Sequence, residues 1–264
     1  MKNLFGYWNL RFTFSIVLFT IHFSLFTYSQ VMVPGEELYY EVSFMGIRLG
    51  SIKVITEGKQ NLNGYEIWKA KCYMDSYRGI PFVDLHSIYQ SWIDPSVSFS
   101  RKFEGSTKKS DGTWDFQKIF FNQSDGNIKY EMWNNSKMFD SSTILSSKKM
   151  SDGLSLFFTA RQYVKVNRSV KIPTFMEHDT CNTYINFSGK VENIEIDAIS
   201  YPVRTVYFNG KADWKGVYGV TGHFEGWFSD DNARIPIQAK MKLYIGNADI
   251  HLIKWKRSGW VPPN

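Results

Sequence analysis

The segment Gly222–Asn247, GHFEGWFSDDNARIPIQAKMKLYIGN, decides the fold class of this chain. Apolar and polar residues alternate on both sides of a polar corner at Ser229–Asn232. A period of two is typical of a half-buried β-strand, in which successive side chains point to opposite faces. Asp and Asn favour the corner because their short side chains hydrogen-bond to the local backbone. The segment therefore predicts a long β-hairpin.

Short strand patterns of the same kind recur along most of the chain. Turn signals such as Asp-Pro and Ser-Asp-Gly separate them, and this regular spacing favours an antiparallel sandwich or barrel over βαβ units. We predict an all-β, mainly antiparallel fold, either a curved sheet or a partly open β-barrel. The predicted strands cover residues 37–44, 49–56, 65–73, 84–93, 97–105, 114–122, 128–133, 170–175, 183–196, 201–208, 217–228, 234–245 and 250–257.

One segment, Ser151–Val164, has helical rather than strand periodicity. Its apolar residues include Leu154, Phe157 and Phe158, which recur at intervals of three and four. Ser151 is expected to cap the helix, and Asp152 to complement the positive end of its dipole. We predict one helix packed against the sheet.

The N-terminus has the features of a signal peptide. Lys2 and Arg11 are followed by the apolar segment Phe12–Phe26, and Thr27-Tyr28-Ser29 provides small residues before a cleavage site at Gln30. The apolar segment is shorter than the roughly 20 residues of a spanning helix. We predict a signal peptide at 1–29 and a single domain at 30–264, exported to the periplasm or secreted, with no integral membrane span after cleavage.

The net charge indicates which kinds of molecule the protein could bind, and the two cysteines raise the question of a disulfide. Removing Lys2 and Arg11 lowers the formal net charge from +6 to +4, and no basic stripe of the kind that binds nucleic acid is evident. Lys240 and Lys242 fit either a patch facing anionic lipids or a solvated sheet face. Cys72 and Cys181 pair only if their strands are neighbours, which the sequence does not decide.

No catalytic, metal or cofactor site is predicted. Asp84-Leu85-His86 and the cluster Glu177-His178-Asp179-x-Cys181 contain metal-ligand residue types, but neither matches a recognised ligand spacing. The Gly-x-Ser-x-Gly sequence of nucleophilic hydrolases is absent. The chain is therefore interpreted as a non-enzyme.

Three motifs resemble a known family when their order and spacing are taken together. They are Gly35-Glu36-Glu37-Leu38-x-Tyr40-x-Val42-x-Phe44 followed by Gly50, then Asp152-Gly153-Leu154-Ser155 with Arg161, and finally Gly226–Asp231 with Arg234-Ile235-Pro236 and Gly246. This set resembles the DUF3108 family of exported bacterial proteins of unknown function. The resemblance implies one β domain over nearly all of the mature chain and a Gram-negative envelope location, and it implies no reaction.

Aromatic residues make up 17% of the chain, so both faces of several strands need apolar cover. The leading hypothesis is a module that binds a lipid or another apolar or amphiphilic ligand on the concave side of the sheet. Arg161 is expected either to pair with an acidic residue, to lie at a cavity mouth, or to be an exposed helix-end residue. The residues expected to line the ligand site or the core are Leu154, Phe157, Phe158, Arg161, Trp227 and Phe228.

Two alternatives from other classes stay open at this stage. One is an envelope assembly protein that binds another envelope protein through an exposed strand edge. The other is a hydrolase whose site assembles from distant strands, with His86 or His178 beside carboxylates.

Overall fold

The computed structural model describes residues 31–80, 84–176, 178–214, 222–243 and 246–264. These residues form fourteen strands and one helix. The strands before the helix are β1 (Glu37–Phe44), β2 (Ile47–Leu62), β3 (Tyr65–Ser76), β4 (His86–Ile93), β5 (Ser100–Lys108), β6 (Trp114–Asn122), β7 (Asn127–Asn134) and β8 (Lys137–Leu145).

The helix and the later strands complete the fold. They are α1 (Gly153–Tyr163), β9 (Ser169–Met176), β10 (Asp179–Ile194), β11 (Val203–Ala212), β12 (Gly222–Ser229), β13 (Pro236–Lys242) and β14 (Asn247–Lys256).

All fourteen strands belong to one antiparallel sheet. Its order is β8-β7-β6-β5-β4-β3-β2-β1-β14-β13-β12-β11-β10-β9. Strands adjacent in the chain pair with each other except β8 and β9, and the one pairing between strands distant in the chain is that of β1 with β14. Strands β8 and β9 are the two edges. The pairing of β1 with β14 makes the first and last strands the middle of the sheet.

The sheet rolls up until its two halves meet. Phe121 of β6 and Phe175 of β9 lie near opposite edges of the sheet, yet their ring centroids are 6.1 Å apart. His178, after β9, stacks on Tyr130 of β7 with a centroid distance of 4.6 Å. The edges do not pair with each other, so the barrel stays partly open. The predicted curved antiparallel sheet with one helix is confirmed.

Helix α1 lies inside the curve and packs against both halves of the sheet. Leu154 and Phe158 join the core cluster that includes Leu38, Val54 and Leu252. A second cluster contains Ala160 and Val164 of the helical segment, together with Ile172, Ile185, Phe187, Val206, Phe208 and Phe228 of the sheet. A helix that is apolar on several sides needs such enclosure.

The two ends of the rolled sheet differ in which turns they carry. Strand β1 begins beside Glu36, and the corner between β12 and β13 lies at the same end, which we call the Glu36 end. The turn at Met45–Gly46 between β1 and β2 defines the opposite end, called the Met45 end. Because the strands are antiparallel, every second turn of the chain falls at the same end.

The sequence missed one strand, β8. Its residues are nearly all exposed, and the polar run Asp140–Thr143 hides the alternation that identifies a strand. An edge strand with little buried surface has a weak apolar pattern. The strand predicted from Val97 begins only at Ser100, because Val97 has a φ of 54° and belongs to the preceding turn.

The signal peptide predicted at 1–29 lies outside the described residues. Among the described residues, no helix has the length and apolarity needed to cross a membrane. Cys72 lies in β3 and Cys181 in β10, on different halves of the sheet. No disulfide joins these two described residues, and Cys181 Sγ lies 3.1 Å from the Thr174 carbonyl oxygen.

Candidate functional site

Arg161, near the end of α1, is the largest fully buried side chain of the described residues. Its Nη1 donates to Glu36 Oε1 at 2.7 Å and its Nη2 donates to Glu36 Oε2 at 3.2 Å. Nη2 also donates to the Ala233 carbonyl at 2.9 Å, and Nε donates to the Arg234 carbonyl at 3.1 Å. Arg257 Nη1 also donates to Glu36 Oε2. We call this set the Arg161 network.

The Arg161 network joins the three motifs that the sequence singled out. Glu36 comes from the opening motif, Arg161 from the helix and Arg234 from the closing hairpin. Arg234 also binds the end of the helix, because its Nη1 donates to the carbonyls of Arg161 at 3.0 Å and Gln162 at 2.8 Å. These carbonyls are among the last of the helix, which have no partner within it. The network therefore holds the C-terminal end of α1 against the Glu36 end.

The burial of the Arg161 network determines whether a ligand can reach it. The Arg161 and Glu36 side chains are 0% and 1% exposed, so a ligand arriving from solvent cannot reach them. Arg161 pairs with an acidic residue, as one of the predicted alternatives states, and it is neither exposed nor at a cavity mouth. We interpret the network as structural.

A second buried polar cluster holds the start of α1. Asp152 is the N-cap: its Oδ1 accepts from the backbone N–H groups of Leu154 and Ser155, both at 2.8 Å. Its Oδ2 accepts from the Ser91 hydroxyl of β4 at 2.5 Å. The prediction that Ser151 caps the helix is wrong. Ser151 instead forms a β-bridge with Thr174 of β9, which removes it from the capping position.

The residues predicted to line a ligand site fall into three positions. Leu154, Phe158 and Phe228 are buried in the core clusters. Phe157 is half-buried beside them, with its ring 5.1 Å from that of Phe158. Trp227 packs outside both clusters, where its Nε1 donates to Glu192 Oε2 at 2.5 Å and its ring lies 5.7 Å from that of Tyr207.

A different set of inward-facing apolar side chains is only half-buried. On the concave face, residues near the Glu36 end such as Leu38, Ile237 and Leu252 are completely buried, whereas their equivalents toward the Met45 end are half-buried. We call the latter the inner apolar surface. It comprises Ile52, Met74, Tyr89, Met132, Met241 and Ile250.

The strand register explains why these residues share a face. Ile52 pairs with Tyr40 of β1 and with Met74 of β3, and Ile52, Met74, Tyr89 and Ile250 pack against the main core cluster. Three of the six residues are methionines, whose flexible, polarizable side chains adapt to irregular apolar partners. Sequence reasoning missed this surface, although the methionines recur at the apolar positions of strands. These methionines differ from core residues only in how deeply they are buried, and that depth depends on strands far apart in the sequence.

The polar groups considered for catalysis or metal binding lie elsewhere. His86 Nδ1 is 2.9 Å from Asp75 Oδ1 and its Nε2 is 3.5 Å from Asp84 Oδ1, beside an open surface pocket of about 300 Å³. His178 Nε2 lies 3.1 Å from the Met132 sulfur, and Glu177 falls outside the described residues. No group of three or more His, Cys, Asp or Glu residues is placed to hold a metal ion within the described ranges.

Comparison with known proteins agrees with the motifs. The model of a family described as "Protein of unknown function (DUF3108)" matches residues 39–253. The chain belongs to the DUF3108 family. No curated protein matches it.

This DUF3108 protein is also similar in fold to a solved structure from Brucella abortus. That structure is described as a beta-barrel-like protein of a domain of unknown function, DUF1849. The TM-score is 0.58 at 9% identity, and the match covers 85% of this chain and 98% of that one. At this identity the likeness shows the fold alone.

The N-cap makes the stability of this DUF3108 protein depend on pH. Burial raises the pKa of Asp152 above 3.8, so the folded state binds a proton more readily than the unfolded chain does. Asn caps helices about as well as Asp but does not ionise. The stability of the wild type relative to Asp152→Asn should therefore be greatest below about pH 3.8 and fall as the pH rises through the raised pKa.

Urea unfolding of both proteins between about pH 2 and pH 8 tests this expectation, because the range must extend below the ordinary Asp pKa of about 3.8. Asp111→Asn is the control, because hydrogen bonds from Thr113 lower the pKa of the exposed Asp111 carboxyl. In that pair the advantage of the wild type should instead be lost as the pH falls. If the stability difference between wild type and variant changed with pH in the same direction for Asp152 and for Asp111, the raised pKa of Asp152 would be contradicted.

Proposed function

We propose that this DUF3108 protein is a non-catalytic module that binds the apolar part of an amphiphilic ligand on its inner apolar surface. The ligand would enter from the Met45 end, and the Arg161 network and α1 would form the rigid floor. The observation that carries the proposal is the change from fully buried to half-buried apolar side chains along one concave face.

The physical support for this proposal is the free energy that is lost when apolar side chains stay in contact with water. Apolar side chains left partly in water forgo about 25 cal/mol for each Å² that burial would remove. Soluble proteins rarely keep contiguous apolar surface of this kind unless it binds a partner or a ligand. The mouth of a β-barrel is also a common position for a small-ligand site.

The proposed location is the periplasm or the exterior of the cell. The N-terminal 29 residues have the basic, apolar and small-residue regions of a cleaved signal peptide. An exported module at an envelope would meet lipids and other amphiphiles, which fits an apolar site.

Loss of binding in a Met74→Lys variant is the expected result that tests the proposal. Native mass spectrometry of protein purified from its own envelope should show a stoichiometric apolar adduct. In titrations with a fluorescent C18 fatty acid, Met74→Lys should lower the affinity by about tenfold or more, because a charge is costly to bury against an acyl chain.

Met138→Lys is the matched control, since Met138 is an exposed methionine in edge strand β8 and pairs with Trp133, away from the inner apolar surface. It should leave the fatty-acid affinity unchanged. An apo mass from the native envelope, together with no binding of the fatty acid by the wild type, would refute the proposal.

A second candidate function rests on the edge strand β8. Its free edge carries exposed Phe139 and Leu145, and the strand contains no proline, whereas edge strand β9 contains Pro173 and is bridged by Ser151. An unprotected edge can accept a strand from another protein. The same native mass measurement separates the two functions, because a bound polypeptide and a bound lipid differ in mass.

A further inference from the structure

The turn between β1 and β2 departs from the chemistry that this chain uses in comparable turns. Its central residues, Met45 and Gly46, have φ angles of 50° and 80°. Positive φ at both positions is the geometry of a type I′ turn, which strongly favours Asn-Gly because a Cβ is crowded against the backbone carbonyl there, and Asn compensates with local hydrogen bonds. The turn between β2 and β3 follows that rule with Asn63 and Gly64, at 51° and 87°.

Met45 is also among the most exposed apolar residues described. Its exposed fraction is 76%, and that of the neighbouring Ile47 is 58%. Gly46 has open space around it, so the tip of the turn protrudes. A strained conformation is thus occupied by an apolar side chain that contacts little of its own protein. Such an outlier leads from structure to a hypothesis of function.

Three basic side chains lie at the same end of the sheet as this tip, together with the acidic Asp75 and Asp84 beside His86. Arg48 follows Ile47, is 66% exposed and pairs with Glu41, while Arg78 is exposed in the segment after β3. Lys242 is exposed at the same end, where it pairs with Asn247 in register, next to the pairing of Phe44 with Ala248. Without Lys2 and Arg11 of the predicted signal peptide, the chain has a formal net charge of +4.

We propose that the Met45–Ile47 tip docks this protein onto a lipid bilayer with anionic headgroups. Two protruding apolar side chains are too few for a stable protein interface, which needs about 800 Å² from each partner. They are sufficient to enter the boundary between headgroups and acyl chains, where adjacent basic residues add electrostatic attraction. The proposal goes beyond ligand binding and turns the Met45 end, with its inner apolar surface, toward the bilayer.

The double variant Met45→Asn/Ile47→Thr tests the proposal without threatening the fold. The first substitution gives the turn the favoured Asn-Gly pair of a type I′ turn, and Thr suits a strand, so thermal stability should be unchanged or higher. In co-sedimentation with phosphatidylglycerol–phosphatidylethanolamine vesicles, the variant should lose about tenfold or more of the wild-type affinity, since two apolar side chains no longer enter the bilayer. Leu145→Asn is the control: Leu145 is 74% exposed but lies at the opposite end, and binding should be retained.

Vesicle composition and ligand loading make the outcomes separable. Wild-type binding should weaken on phosphatidylcholine vesicles, whose headgroups carry no net charge to attract the basic residues. It should also weaken in high salt, which screens the attraction to anionic headgroups. Equal vesicle binding by wild type and double variant, or none by the wild type, would overturn the proposal. Native mass spectrometry of the same variant reports ligand loading independently, so failure of the docking proposal and failure of the ligand-binding proposal are distinguishable.

Discussion

Replacing Glu36 by Gln should lower the free energy of unfolding by about 3–5 kcal/mol, the typical effect of removing one partner of a buried ion pair. Gln keeps the shape of Glu but not its charge, so the guanidinium groups of Arg161 and Arg257 would face each other without a carboxylate. The side chain of Arg161 is completely buried and cannot recover its hydration in the folded state. Urea unfolding followed by tryptophan fluorescence measures the change.

Glu37→Gln is the matched control for this variant. Glu37 is the adjacent carboxylate, but it lies at the surface, where it pairs with Lys53 and Lys256 and its side chain is 22% exposed. Because Glu37 is partly in contact with water and its lysine partners can be hydrated again, the control should cost clearly less than Glu36→Gln. If Glu36→Gln and Glu37→Gln lowered the free energy of unfolding by the same amount, the Arg161 network would not stabilise the fold.

Truncation of Phe158 to Ala should cost about 3–5 kcal/mol, the usual range for a buried Phe-to-Ala change. Phe158 is completely buried on α1 and belongs to the core cluster that α1 shares with the sheet. Because α1 is held at both ends by the Asp152 cap and the Arg161 network, the surrounding structure cannot collapse to fill the cavity. Chemical unfolding and the thermal midpoint both report the effect.

Phe139→Ala provides the comparison, because Phe139 is 58% exposed on edge strand β8 and should cost little. The pair also distinguishes a core residue from a residue that lines a ligand site. A lining residue would change the fatty-acid affinity and leave the stability nearly constant. Near-wild-type stability of Phe158→Ala would show that α1 is not part of the rigid core.

These expectations divide the concave side of the sheet into two functional regions. The Glu36 end is fixed by buried charges, by the N-cap and by completely buried aromatic side chains, and so it should change little when a ligand binds. The Met45 end presents half-buried methionines and an apolar turn tip. Recognition of an amphiphile at a bilayer would use the second region and depend on the first for its shape.

The sequence by itself determined the strands, the helix and the hairpin from Gly222 to Asn247. Those features follow from side-chain periodicity and turn chemistry, which act between residues a few positions apart. The same local signals failed at β8, whose exposed residues have no reason to alternate, and at Ser151, whose pairing with Thr174 is not local. The motifs with Glu36, Arg161 and Arg234 were recognisable, but the reason for their presence was not.

Only the tertiary structure decided how those pieces meet. Glu36 and Arg161 are 125 positions apart, and they come together because β1 pairs with β14 in the middle of a sheet that rolls around α1. The same rolling buries Leu38 and Leu252 completely and leaves Met74 and Ile250 only half-buried, although all four occupy inward positions of strands. Burial depends on how distant strands close over one another, and a period of two specifies a face but not how deeply that face is covered.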